Sequence, residues 1–219
     1  MATQKKQSEA KTLEFYKAAL ENTETQTEIA AILAEFGYDA TLIAEGKTIL
    51  AETEEAFRFN KKEDIETSQA YRAYDEKKEE LEQIFSTHRK KAKVVFRKEP
   101  GTLSDLEIIG VLPKAYTKWM EKVKLFYNTL NETPELAAKL VRLKITAEDI
   151  TTAISLIDAV EKAKNHYLIE KGESQDATKQ KNQAFEKADD WMSEFFSVAK
   201  IGLEDRPQLM EALGKVVLS

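Results

Sequence analysis

Residues 59–68 read FNKKEDIETS, and residues 169–178 read IEKGESQDAT. Each stretch interrupts a long apolar pattern with charged and hydroxyl side chains. If the chain turns at these points, each segment is a helical hairpin. If it runs straight through, each is one long helix.

Outward from both stretches, apolar residues recur at intervals of seven. Ile43, Leu50, Phe57, Tyr71, Phe85 and Ala92 share one phase, and Tyr74, Leu81, His88 and Val95 share a second. In the later segment Ile150, Ile157, Phe185, Met192 and Ala199 share one phase, with Val160, Tyr167, Ala188 and Phe195 on the other. This spacing marks helices with an apolar seam. The polar stretches place Asp64, Thr67, Lys171 and Ser174 on that seam, where unpaired polar groups are costly in a packed core. A long antiparallel hairpin with an exposed tip avoids the cost, and Gly172 and Ser174 suit a stop and a cap. The hairpin is therefore the preferred expectation. The phase kept across each gap supports the alternative, one uninterrupted helix of roughly 85–90 Å at about 1.5 Å per residue.

The segment ends point to internal duplication. Tyr38, Asp39 and Ile43 have the spacing of a hydrophobic staple around a helix cap. Ile145, Thr146 and Ile150 repeat it 107 residues later, and AKVVFRKEP (92–100) returns as AKIGLEDRP (199–207) at the same offset. Phe15-Tyr16 and Phe126-Tyr127 extend the match. The expected fold is all-α, an internally duplicated helical bundle with units 1–110 and 111–219 packed together. Each unit has an initial helix, a short helix, a long hairpin and a short terminal helix. In the first unit, Leu13, Tyr16 and Leu20 mark the initial helix. Ile29, Ile32, Leu33 and Phe36 mark the short helix, with Gly37 as its stop. Thr23 with Gln26, or Thr25 with Glu28, forms its capping box, and Thr102 caps the terminal LSDLEII. In the second unit Leu112-Pro113 opens the first helix, Thr133-Pro134-Glu135 caps a short helix over 136–143, and PQLMEALGKVV closes the chain.

Composition agrees with a helical protein. Of 219 residues, 42% are apolar and 33% charged, with only 7 Gly and 4 Pro for hairpin turns and bulges. There is no Cys, which excludes disulfides, thiolate nucleophiles and Cys-ligated metals. The polar N-terminal stretch lacks the apolar core of a signal peptide, and no apolar run approaches the ~20 residues of a membrane span. The cytoplasm is the expected location.

Several motifs of the second half resemble a widespread group of uncharacterised bacterial helical proteins. They are FYNTL, PELAAKL, ITAEDI, EKGESQDAT, WMSEFF, AKIGLEDRPQLMEALG and the closing VVLS. The resemblance covers 119–219 well and the first half loosely. It implies a bacterial, duplicated, all-helical protein and transfers no activity, cofactor or site residue.

The search for chemistry assigns no catalytic, cofactor-binding or metal-ligating residue. A di-iron bundle needs Glu-x-x-His pairs, but the residues three before His88 and His166 are Phe85 and Ala163. His88 reads as a core or edge histidine and His166 as a solvated one. There is no nucleophile elbow and no glycine-rich phosphate loop. The carboxylates of DEKKEELEQ alternate with Lys at helical spacing, as on a solvated face.

One local charge anomaly remains. HRKKAKVVFRK holds Arg89, Lys90, Lys91, Lys93, Arg97 and Lys98 without an acid. It reads either as cations favoured near a helix C-terminus or as a patch for an acidic protein, nucleic acid or anionic membrane. The overall charge of −6 disfavours general nucleic-acid binding. Trp119, Phe126, Trp191, Phe195 and Phe196 read as core. Phe57 and Phe59 face different sides of their helix, so one of them with Tyr71 or Tyr74 suits an oligomer contact. The leading expectation is a non-enzymatic structural or interaction protein whose partner is another protein or a second copy. The alternatives are an anionic-surface or nucleic-acid binder using 89–98, and a small-ligand-binding bundle.

Overall fold

The computed structural model describes residues 8–214; the closing VVLS and the last three residues of PQLMEALGKVV lie outside the described residues. Eight α-helices and one 3-10 turn, with no strand, are found among them. The helices are α1 (Glu9–Thr25), α2 (Thr27–Glu35), α3 (Ala40–Val95), α4 (Pro100–Asp105), α5 (Tyr116–Glu132), α6 (Pro134–Leu140), α7 (Ala147–Gly202) and α8 (Gln208–Ala212). None is long and apolar enough to cross a membrane.

The preferred hairpin does not occur. α3 and α7 are each one uninterrupted helix of 56 residues, passing through both polar stretches. The reason lies in partners that no single segment reveals. Asn60 Nδ2 donates to Thr178 Oγ1 at 3.0 Å, and Ser174 Oγ to Asp64 Oδ1 at 2.7 Å. Thr67 Oγ1 donates to the Glu170 carbonyl at 3.0 Å. The seam's polar groups are thus hydrogen-bonded or exposed, so the penalty that favoured a turn is not incurred. Gly172 lies within α7 with no atom near the position a Cβ would take. There it costs α7 only about 1 kcal/mol relative to Ala.

The chain forms two compact units, but not as successive halves. Unit 1 combines Met1–Asp64 with Glu173–Ser219, of which residues 8–64 and 173–214 are described, and unit 2 is Ile65–Gly172. Each sequence half therefore contributes to both units. In unit 1 the first part of α3 lies antiparallel to the last part of α7, as the Thr53–Ala184 and Asn60–Thr178 hydrogen bonds require. In unit 2 the last part of α3 faces the first part of α7, through Thr67–Glu170 and the Tyr71–Tyr167 ring pair.

Each unit has its own core. Unit 1 buries Leu20, Ile29, Leu33, Tyr38, Phe195 and their neighbours. Trp191 stacks on Phe195, and Tyr38 meets both rings edge-on. α3 permits this because residue 46 is Gly: a Cβ there would fall 2.3 Å from the Trp191 ring. Unit 2 buries Leu81, Phe85, Phe96, Phe126, Tyr127 and Leu130.

Helix starts follow local rules in part. Asp39 Oδ1 accepts from the N–H groups of Thr41 and Leu42. Thr146 and Asp149 form a reciprocal box: Asp149 Oδ2 accepts from Thr146 N at 2.7 Å, and Thr146 Oγ1 from Asp149 N at 3.2 Å. Those hydrogen bonds, the backbone one first, hold the Asp149 carboxyl below its usual range. Gly37 ends α2 at φ +90°, with Tyr38 N donating to the Leu33 carbonyl.

Other caps depart from expectation. α1 runs through Thr23 and Thr25, whose hydroxyls donate back to the Ala19 and Glu21 carbonyls, so neither forms a capping box. α4 starts at Pro100, which leaves Thr102 inside the helix. α5 starts at Tyr116, beyond Pro113.

Candidate functional site

The basic run lies at the end of unit 2 where α3 finishes and α7 begins. Its six cations divide into two sets. Arg89 and Lys91 are half-buried and bind backbone: Arg89 Nη2 donates to the Gly110 carbonyl at 2.5 Å, and Lys91 Nζ to the Lys144 carbonyl at 3.3 Å. Burial pulls the Arg89 guanidinium below its ordinary value, and its Nε has no partner. Lys93 is also half-buried, and burial together with Arg89 pulls its ammonium down. Lys90, Arg97 and Lys98 are exposed and form no ion pair among the described residues.

Arg89 shapes the surface beside them. The segment after α4 is pinned by the buried Leu106 and Ile108 and by the Arg89–Gly110 hydrogen bond. Glu107 at φ +48° and Gly110 at φ +74° reverse the backbone there. Between and beyond these anchors, Ile109 and Val111 project outward, Val111 at 94% exposure. On α3, Val94 is one turn from Lys90 and is also exposed. From α6 and the turn that follows come exposed Val141, Arg142 and Lys144. Val141 also lines an open groove of about 290 Å³ with Leu130, Pro134, Ala137 and Ile150. Lys139 is the exception among the outer cations, being paired with Glu99 at 2.9 Å.

The result is a surface of unpaired cations interleaved with uncovered aliphatic side chains. Residues 89–107 and 134–145 carry nine basic and four acidic side chains. The sequence signalled the α3 part of this surface. It did not show that Arg142 and Lys144 join it, nor that Arg89 and Lys91 are committed to carbonyls, because both facts depend on distant segments.

His88 is buried, as a seam histidine should be. Its Nδ1 lies 3.0 Å from Tyr127 Oη, and burial pushes the imidazole down and the phenol up in proton affinity. The pair satisfies itself inside the core. His166 is exposed and sits 3.4 Å from Glu170.

The aromatic assignments divide similarly. Phe195 and Phe126 are fully buried and Trp119 nearly so, while Trp191 and Phe196 are half-buried. Phe57 meets Phe185 edge-on, leaving Phe59 as the exposed member of that pair.

A tyrosine cluster in unit 2 escaped notice in the sequence. Tyr74 stacks on Tyr167, Tyr71 meets both, and Tyr116 packs edge-on against Tyr74. Lys164 caps the Tyr116 ring at 3.5 Å from its centroid. Burial raises the Tyr116 phenol to about 12. The heptad placed three of these tyrosines on seams, but Tyr116 comes from outside the long helices. Lys164 already covers the ring face at which a cation would bind.

No family model, no curated protein and no solved structure matches the chain.

Proposed function

We propose that this chain is a non-enzymatic helical interaction protein whose cationic and apolar end of unit 2 receives an anionic protein surface. One observation carries the reading: Lys90, Arg97, Lys98, Arg142 and Lys144 are all exposed without ion-pair partners, beside uncovered Val94, Ile109, Val111 and Val141. Unpaired surface cations give long-range attraction and orientation, and covered aliphatic groups give the apolar contribution to a complex. A solvated helix end needs the first of these features but not the second.

The proposal includes internal duplication. It is supported by two helices of equal length whose bounds differ by one offset of 107 residues. The same offset converts the Asn60–Thr178 pair into Tyr167–Tyr71. The resemblance of 119–219 to bacterial helical proteins belongs to the same proposal and assigns no site.

The test uses the intact protein and a fluorescent hexaglutamate peptide, with fluorescence anisotropy as readout. Binding is expected at low salt, to be at least about tenfold weaker at 0.5 M NaCl. It should be lost in a Lys90→Glu, Arg97→Glu, Lys98→Glu variant with unchanged helical circular dichroism. Unchanged binding in that variant contradicts the reading. A preference for a DNA 30-mer or a phosphatidylserine vesicle over the peptide transfers the surface to nucleic acid or membrane.

A further inference from the structure

The corresponding end of unit 1 carries the opposite charge. Residues 27–38 and 196–214, reached from the unit 2 segments by the 107-residue offset, hold two basic and five acidic side chains. One basic group, Arg206, is spent on Glu28 in an ion pair. Glu35, Glu204 and Asp205 are exposed and form no ion pair among the described residues. Arg97 and Lys98 correspond to Glu204 and Asp205 at this offset.

The unit 1 end is also apolar. Ile201 is 61% exposed and Phe36 is 47% exposed. Ile201 corresponds to Val94, the aliphatic residue of the cationic end. Phe36 is held in place by Gly202, where a Cβ would fall 3.1 Å from its ring. One end of the chain therefore presents cations around aliphatic groups, and another presents carboxylates around an aliphatic and an aromatic group.

We infer that the occupant of the cationic end is a second copy of this chain, docking through the acidic end of its unit 1. This rests on the reading of the cationic end as an interaction surface. The contact is heterologous, two different patches meeting, so every bound copy leaves one patch of each kind free. Such contacts propagate into rings or open chains and do not stop at a dimer. At physiological salt the Debye length is about 8 Å, so the local ends govern the encounter and the net charge does not.

Charge exchange tests the inference. One variant carries Lys90→Glu, Arg97→Glu and Lys98→Glu; the other carries Glu35→Lys, Glu204→Lys and Asp205→Lys. All six positions are exposed, and circular dichroism verifies that both variants keep their helices. Sedimentation velocity follows mass against concentration. The parent is expected to exceed the 24.9 kDa monomer progressively at low salt, and to return to it at 0.5 M NaCl. Each variant alone should remain monomeric. An equimolar mixture should assemble again, because the first variant has two acidic ends and the second two basic ends.

A parent that stays monomeric at low salt at every concentration overturns the inference. So does assembly that survives in either single variant, or failure of the mixture to assemble. If the monomeric parent still binds hexaglutamate through Lys90, Arg97 and Lys98, only the self-docking falls and the cationic end retains its proposed role. If it binds neither, both readings fall together.

Discussion

Units 1 and 2 use comparable helix segments and fill them differently. Where unit 1 has Phe195, stacked on Trp191 and touched by Tyr38, unit 2 has His88 at the position 107 residues earlier, bonded to Tyr127. Where unit 1 has Gly46 beneath an indole ring, unit 2 has the buried Ala153. One core is closed by aromatic stacking, the other includes a hydrogen-bonded polar pair. The ends diverge more strongly still, one carrying excess carboxylates and the other excess cations. A shared framework fixes where side chains go, and substitution at matched positions gives each end a separate surface.

The sharpest break should come from the aromatic core. Phe195→Asp puts an unpaired carboxylate among Trp191, Tyr38 and Phe196, and should cost about 4 kcal/mol or more. Thermal denaturation would show it as a large fall in Tm; a variant that melts like the parent refutes the burial of Phe195. Gly46→Ala comes next. Its methyl cannot fit beneath Trp191 unless the ring moves, so a net loss of about 1–3 kcal/mol is expected despite the better helix propensity of Ala. The matched change in unit 2, Ala153→Gly, should cost about 1 kcal/mol for a different reason, backbone entropy. Urea titration of both variants separates the two effects.

Tyr127→Phe leaves the His88 Nδ1 without its buried partner and should cost about 1–2 kcal/mol. The histidine also gives unit 2 a pH dependence that unit 1 lacks at the matched position. Burial lowers the His88 proton affinity in the folded state. Above about pH 6.5, the ordinary histidine value, both states are neutral there and the contribution is complete. As pH falls below that value the unfolded chain binds the proton first, and stability is lost as pH falls through the folded-state value. Urea midpoints between pH 7.5 and 5 should therefore fall more steeply for the parent than for His88→Leu. Parallel profiles would show that His88 is not held neutral in the fold.

The parts legible in the sequence were those determined over a few residues. Asp39 and Thr146 cap helices because a cap needs only the next three residues, and Phe195 and His88 fall inside because heptad phase is local. The continuity of α3 and α7 was not legible in the same way. It rests on Asn60 meeting Thr178 and on Thr67 meeting the Glu170 carbonyl, contacts more than 100 residues apart. Thr23 and Thr25 misled because their hydroxyls bond to the preceding turn as readily as they cap the next. At the candidate surface the cations of α3 were plain, while the division between carbonyl-bound Arg89 and free Lys90 depended on where Gly110 lies.

Those continuous helices carry the whole account, and the absence of Cys makes them open to a clean cross-linking test. Asn60→Cys with Thr178→Cys replaces a side-chain contact of 3.0 Å, and mild oxidation should close an intrachain disulfide in most of the monomer. The comparison pair is Phe57→Cys with Tyr71→Cys, 14 residues apart on α3 and so about 21 Å along its axis, which should not close. Ready closure of the second pair and none of the first would mean that the chain turns within 59–68, and that α3 is a hairpin.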